Sequence, residues 1–254
     1  MISIEHVSYK IGDTPIISDV TTALPKGKVT ALIGPNGAGK SSLLNIIARQ
    51  ATATTGTVEI DGLDVTQTDP RILAHKMAIV SQHVGVASRL RVRDLIGFGR
   101  WPHNHGRPTQ IDVDKIDEAL SQFDLEPLAH RFVDELSGGQ RQRAFVAMGF
   151  VQDTDWVLLD EPLNNLDLRH ARALMAHLKQ MSAQHGKSIV IVLHDLNFAM
   201  SWADHIVALK NGQVAFSGPT RDVAHASSLS DLYNTDVQIH AQGEQFFVAH
   251  HGPL

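Results

Sequence analysis

The 254-residue chain has no cysteine. That excludes disulfides and thiol chemistry and is in keeping with a reducing compartment. No stretch approaches the ~20 apolar residues of a membrane-spanning helix, so any work at a membrane is expected to be done from the side. There is no excess of positive charge. Lys and Arg number 22 against 27 Asp and Glu, a net charge of −5, which points away from general nucleic-acid affinity. The opening Met1-Ile2-Ser3-Ile4-Glu5-His6 lacks the basic start and long apolar run of a secretory leader. Internal repeats, low-complexity tracts and long Pro/Ser-rich tethers are also missing. What remains is 43% apolar and 19% charged, the balance of a folded chain long enough to bury a sizeable core.

Within that unremarkable composition one stretch is specific: Gly34-Pro35-Asn36-Gly37-Ala38-Gly39-Lys40-Ser41, a full match to G-x-x-x-x-G-K-[ST]. The buried-strand pattern Val29 to Ile33 precedes it and the helix-like Ser42 to Ala48 follows. That strand–loop–helix context is what the motif requires. Glycines let successive backbone N–H groups converge on phosphate oxygens, and the helix start adds a favourable dipole. Lys40 can reach the β- and γ-phosphates, and the Ser41 hydroxyl can bind Mg²⁺.

Around the cradle, periodicity predicts strands over 2–9, 16–20, 57–62 and 77–81. From about 83 to 152 the pattern is mostly helical, including Val113 to Phe123, and is interrupted by a predicted loop from Trp101 to Pro108. Thr154 to Asp160 returns to a buried-strand pattern. Leu168, Ala171, Leu174, Met175, Leu178 and Met181 then fall at helical spacing and are expected in the core. Ser188 to Leu193 reads as a fully buried strand of the parallel-sheet type. Alternating strands and helices give an α/β fold with a parallel sheet and a helical insert at residues 83–153.

Further polar residues stand at strand ends, where open α/β sheets bind ligands. Asp160 fits a role in holding Mg²⁺, and Glu161 fits polarisation of an attacking water. His194, followed by Asp195, could hold that water and Glu161 in line. Gln82 could reach metal or water. Leu136-Ser137-Gly138-Gly139-Gln140 has capping-box spacing ahead of a helix on which Ala144, Ala147, Met148 and Val151 form one face. Its glycines bare N–H groups for a second anion grip. One nucleotide hardly needs two grips so far apart in sequence, so the second is expected to serve a nucleotide held by another copy.

Over essentially its whole length the chain resembles the nucleotide-binding subunits of ABC transporters. The resemblance implies a P-loop NTPase of ABC type. Its RecA-like mixed core sheet would span residues 1–82 and 154–240, with an antiparallel N-terminal β part. Residues 83–153 would form the helical subdomain and 241–254 a C-terminal tail. Gly34 to Ser41, with Ser42, is similar to Walker A, and Trp156 to Asp160 to Walker B. Glu161 would be the catalytic glutamate, Gln82 the Q-loop and His194 the switch histidine. Leu136 to Gln140 resembles the signature, and Leu163-Asn164-Asn165-Leu166-Asp167 the D-loop, in wording that differs from the commoner Pro-Thr form. Tyr9 lies where the family stacks an aromatic on adenine. The resemblance thus implies contacts to ATP from Tyr9, Gly34 to Ser42, Ser137 to Gln140 and Asp167, and to Mg²⁺ from Ser41, Gln82 and Asp160.

Three phrases resemble the importers of iron–siderophore complexes: Glu161 to Asp167 followed by Arg169-His170, Phe98-Gly99-Arg100-Trp101-Pro102-His103, and Leu229-Ser230-Asp231-Leu232-Tyr233. Cobalamin and haem importers have closely related ATPases. A more distant alternative is an ABC-type ATPase acting on nucleic acid or ribosomes, against which the single cassette and negative charge argue. The family reading implies a head-to-tail dimer with two sandwiched ATPs at the cytoplasmic face of the membrane. It also implies permease subunits docked near the insert and, indirectly, a periplasmic or lipoprotein substrate-binding protein. Val86, Leu90, Leu95 and Phe98 are candidate docking residues, with core packing the expected role for most. Direct metal binding by any of the 15 histidines is not expected from their spacing.

Overall fold

A computed structural model describes residues 1–81, 89–242 and 245–249. In chain order the elements are β1 (Ile2–Ile11), β2 (Thr14–Leu24), β3 (Val29–Ile33), α1 (Lys40–Ile47), β4 (Thr55–Ile60), β5 (Leu63–Asp64), α2 (Pro70–Ala74), β6 (Met77–Val80), α3 (Val92–Phe98), α4 (Trp101–Asn104), α5 (Gln110–Gln122) and α6 (Gly138–Val151). They continue with β7 (Trp156–Leu159), α7 (Leu168–His185), β8 (Ser188–Val192), α8 (Leu196–Trp202), β9 (His205–Lys210), β10 (Gln213–Pro219), α9 (Thr220–Val223), α10 (Ala226–Tyr233), β11 (Gln238–Gln242) and β12 (Gln245–Ala249). Two compact units result, one from residues 1–68 with those from 178 onward, the other from residues 69–177.

The first unit contains an antiparallel sheet in the order β2-β1-β4-β5. Ile2, Ile4 and Val7 of β1 are all buried. The odd spacing between Ile4 and Val7 departs from strict alternation because the register shifts there against β2. His6 turns to φ 51° in this bulge, as bulges permit one extra residue per strand. Its ring meets Asp19 at 2.8 Å, and Gly56 is accommodated against it because a Cβ there would come within 2.4 Å of the His6 carbonyl. The second sheet of this unit runs β10-β9-β3-β8. β3 lies parallel to both β8 and β9, with β10 antiparallel at the edge. All five residues of β3 and of β8 are buried, matching the continuous apolar runs of parallel strands.

In the second unit β6 and β7 pair in parallel, Met77 opposite Trp156 and Val80 opposite Leu159. The helices gather around α6. Ala144, Phe145, Val146, Ala147, Gly149, Phe150 and Val151 are all buried, so α6 is surrounded and does not present the single apolar face expected of it. Two glycines allow the close approach. A Cβ on Gly99 would stand 2.1 Å from the Met148 carbonyl, and one on Gly149 would meet Val80 at 2.5 Å.

The segment expected to be a loop from Trp101 begins as the short helix α4, with Pro102 in its first turn, where the fixed φ of proline suits a helix start. Arg100, just before it, is buried and donates to Asp112 Oδ1 (2.8 Å) and to the Val151 carbonyl (2.9 Å). Asp112 also accepts from the Thr109 N–H and hydroxyl at the start of α5. His103 bonds the Gln152 carbonyl at 2.8 Å. The Phe98-to-His103 phrase is thus largely architectural. In α7 the expected core residue Leu168 is 76% exposed, because it opens the helix, and Met181 is only half-buried. Met175 is fully buried. Leu95 is core, Leu90 half-buried and Phe98 49% exposed. Val86 lies outside the described residues.

Candidate functional site

The cradle follows β3 in the first unit, and its glycines are required for different reasons. Gly34 (φ 142°) sits so near β9 that a Cβ would lie 2.1 Å from the Leu209 carbonyl. Gly39 (φ 97°) is both left-handed and pressed to 2.6 Å from Ile17. Gly37 has open space around it but a φ of 77°, a conformation that costs an L side chain energy. Gly39 is the N-cap of α1, and no side chain caps that helix. A helix start of this kind, with no side-chain cap, is where backbone N–H groups and the helix dipole favour an anion.

The Lys40 side chain is buried, only 5% exposed. Its ammonium donates to the carbonyls of Gly34 (2.8 Å) and Pro35 (2.9 Å), which curls the loop around a positive charge. Ser41 and Ser42 follow in the first turn, both half-buried. Asn36 and Gly37 form the exposed tip.

Two supports of the cradle were not read from the sequence. The Gly34 N–H donates to the Tyr233 hydroxyl at 3.0 Å. Burial pushes that phenol up to about 12, so it stays protonated and neutral. On the other side, Gly212 in the β9–β10 turn donates to Ala38 O (3.2 Å) and accepts from Ser18 N–H (2.9 Å). Only glycine fits there, because a Cβ would reach 2.4 Å from Ile16 O. Neither partner falls in a motif. Tyr233 belongs to the Leu229-to-Tyr233 phrase, which was the one available signal.

His194 is exposed just beyond β8. Asp195 beside it has a structural task, accepting from the N–H groups of Asn197 (2.7 Å) and Phe198 (3.2 Å) to cap α8. Asn197 in turn grips the backbone of Val248 in β12, accepting its N–H at 2.8 Å and donating to its carbonyl at 3.2 Å. Tyr9 is half-buried in β1 opposite Ile17.

In the second unit Asp160 directly follows β7, only 5% exposed, its N–H donating to Val80 O at 2.9 Å. Glu161 follows at φ 50° and opens a tight turn in which Asn164 N–H donates to Glu161 O (3.2 Å). The Asn164 amide also donates to Glu161 Oε2 at 2.7 Å. At the start of α6 the expected capping box is formed. Ser137 Oγ accepts from Gln140 N–H (3.3 Å), and Gln140 Oε1 accepts from Ser137 N–H (3.1 Å). A Cβ on Gly139 would lie 3.0 Å from Asn165 O, and one on Gly138 3.4 Å from Asn165 Cβ. Gly139 thus eases the close approach of the 164–166 turn, while Gly138 lies in ordinary contact with it.

Asp167 is exposed and caps α7, its Oδ1 accepting from the His170 N–H (2.8 Å) and meeting His170 Nδ1 at 2.7 Å. The first of these bonds does most to hold its carboxyl below the ordinary range. The structure thus joins Glu161, Asn164, Asn165, Gly138 and Gly139 in one unit, and the cradle, Tyr233 and Gly212 in the other. Gln82 lies outside the described residues.

Comparison with known proteins accords with this geometry. The ABC transporter family profile matches residues 17–164. The petrobactin import ATP-binding protein YclP of Bacillus subtilis is 44% identical over 94% of this chain and 95% of its own. The iron(3+)-hydroxamate import ATP-binding protein FhuC of the same species is 36% identical over 94% of this chain and 89% of its own. Among solved structures, a dimeric ATP-binding cassette in a post-hydrolysis state with ADP and phosphate superposes with a TM-score of 0.80. It has 27% identity and covers 87% of this chain and 99% of that one. With the cradle, the capped signature helix and the strand-end carboxylates in place, the chain belongs to the ABC transporter family, as one of its ATP-binding, ATP-hydrolysing subunits.

Proposed function

We propose that this ATPase energises uptake of an iron(III)–siderophore complex through membrane permease subunits. The observation that carries the reading is the near-full-length likeness to the petrobactin and iron-hydroxamate import subunits, together with an uncompromised cradle. In this reading two copies associate head to tail. Each cradle, with Lys40 and the N–H groups opening α1, binds the phosphates of one ATP, and Ser137 to Gln140 of the other copy completes the grip. Tyr9 takes the adenine, and Asp167 contributes at the dimer interface.

Glu161 accepts a proton from the attacking water while His194 and Gln82 hold that water in line. The Ser41 hydroxyl, at an uncapped helix start, and Asp160, a nearly buried carboxylate at a strand end, are hard oxygen donors that suit Mg²⁺, with Gln82 as a further ligand. When bound, Mg²⁺ neutralises charge on the β- and γ-phosphates. Closure of the dimer on ATP and reopening after phosphate release move the permease, which this subunit meets from the inner face of the membrane. No helix among the described residues is long and apolar enough to cross it. The iron complex itself, delivered by an extracytoplasmic binding protein, passes through the permease.

The test is uptake of radiolabelled iron–siderophore in a strain without a backup importer. Lys40→Ala is expected to abolish uptake, and persistence would refute the transport role. Labelled cobalamin and haem serve as competing cargoes, and uptake of either in place of iron would reassign the substrate. In purified protein Glu161→Gln is expected to lower steady-state hydrolysis by about 10²–10⁴-fold, and unchanged turnover would refute its role as base.

A further inference from the structure

The hydrogen bond from the Asn164 amide to the Glu161 carboxylate lies outside every motif role assigned above. A glutamate side chain has several rotatable bonds, and freezing them costs conformational entropy. A base aimed at one water gains from being held before the substrate arrives. Here the backbone is already committed. Glu161 sits at φ 50°, and its carbonyl accepts from the Asn164 N–H at 3.2 Å. Asn164 then reaches back through its side chain to Glu161 Oε2 at 2.7 Å, a short, charge-assisted bond. The next residue, Asn165, is braced from behind: a Cβ on Gly139 would crowd its carbonyl at 3.0 Å, and Gly138 packs beside its Cβ.

We propose that Asn164 is a positioning residue for the hydrolytic reaction: its amide holds the Glu161 carboxylate in place, and the packing of Gly138 and Gly139 on Asn165 sets where that amide sits. Within one subunit the signature helix and the general base are thereby joined through a single turn. A shift of the signature helix when it grips the partner copy's nucleotide moves the aim of the subunit's own base. The departure of Leu163-Asn164-Asn165 from the commoner D-loop wording has a chemical content in this light, because Asn164 supplies an amide donor facing a carboxylate. The proposal rests on the reading of Glu161 as the base.

The experiment is steady-state ATPase kinetics of the full-length chain with Asn164→Ala, Asn164→Asp and Asn164→Gln, each alone and combined with Glu161→Gln. Asn164→Ala is expected to lower kcat about tenfold, equivalent to about 1.4 kcal/mol in activation free energy, with KM for ATP within about twofold. Asn164→Asp keeps the shape but replaces the donor with a like charge and is expected to lose more. Asn164→Gln keeps the amide and is expected to recover part of the loss. In the Glu161→Gln background, Asn164→Ala is expected to have no further effect on the residual rate, since it acts through Glu161.

An Asn164→Ala enzyme with wild-type kcat overturns the proposal. So does a tenfold loss that persists in the Glu161→Gln background, or a loss expressed in KM alone. Failure of the underlying reading is seen separately, as Glu161→Gln hydrolysing ATP at the wild-type rate. Asn164 is exposed and not left-handed, so alanine fits its backbone. Should Asn164→Ala melt early, the Asp and Gln variants decide the matter.

Discussion

The buried pair of Arg100 and Asp112 offers a sharp test of how the helical insert is held together. Arg100→Leu keeps most of the volume and removes the charge. It strands Asp112, a carboxylate at 4% side-chain exposure that still accepts from Thr109, and it leaves the Val151 carbonyl without its guanidinium donor. Removing one partner of a buried ion pair costs about 3–5 kcal/mol. For a chain of this size that converts to a fall in Tm of roughly 6–20 °C. Adding Asp112→Asn removes the stranded charge yet keeps an oxygen for the Thr109 N–H. The double variant is therefore expected to be more stable than Arg100→Leu alone.

The pH dependence has a definite sign. Asp112 is held well below the ordinary carboxylate range, first by the Thr109 backbone N–H and next by Arg100. Its stabilisation is thus fully present above the unfolded value of about 3.9 and is lost as pH falls through the depressed native value. Calorimetric melting of the full chain from pH 8 to 5 should show an undiminished Arg100→Leu penalty that shrinks only in stronger acid. An Arg100→Leu Tm within about 2 °C of wild type, or a double variant destabilised relative to wild type by the sum of the two single losses, would refute the reasoning.

Other outcomes follow from the cradle and its supports. Gly34→Ala drives a methyl to 2.1 Å from the Leu209 carbonyl, so equilibrium binding of a fluorescent ATP analogue should fall below detection. Gly37→Ala, strained only by its φ of 77°, should retain measurable affinity. Tyr233→Phe removes the acceptor of the Gly34 N–H and should destabilise the chain by about 1–2 kcal/mol, with a matching rise in the urea sensitivity of nucleotide binding. Asn197→Ala removes both bonds to Val248. Limited proteolysis is expected to cut at the β11–β12 hairpin many times faster in this variant, while an unchanged cleavage pattern would mean that other contacts hold the hairpin.

The cradle was legible because its chemistry is a set of backbone demands, and glycine is nearly the only residue that meets a positive φ or a close carbonyl. The capping box of α6 was legible for a similar reason, Ser137 and Gln140 being three residues apart and satisfying each other locally. Three features were not legible. The Arg100–Asp112 pair, the Tyr233 tether and the Asn197 grip all join positions whose proximity depends on tertiary folding. Helical spacing put Leu168 in the core, yet it opens α7 and stands in solvent, since periodicity specifies a face and not where burial along it begins. The encirclement of α6 was missed because its polar stretch Gln140 to Arg143, near the start, masks how many elements later converge on it. Asn164 carried a signal only as an unusual word in the D-loop, and its target became visible from the geometry of the turn.

The tether from Gly34 to Tyr233 spans 199 positions of the chain. During synthesis at about 5–20 residues per second, Tyr233 leaves the catalytic centre of the ribosome roughly 10–40 s after the cradle's first glycine. Through that interval the phosphate loop exists without the hydroxyl that receives its leading N–H, so a nascent or truncated chain carries a complete motif on an unfastened loop. The hydroxyl that fastens the start of the phosphate loop thus comes from the last helix among the described residues, made long after the loop itself.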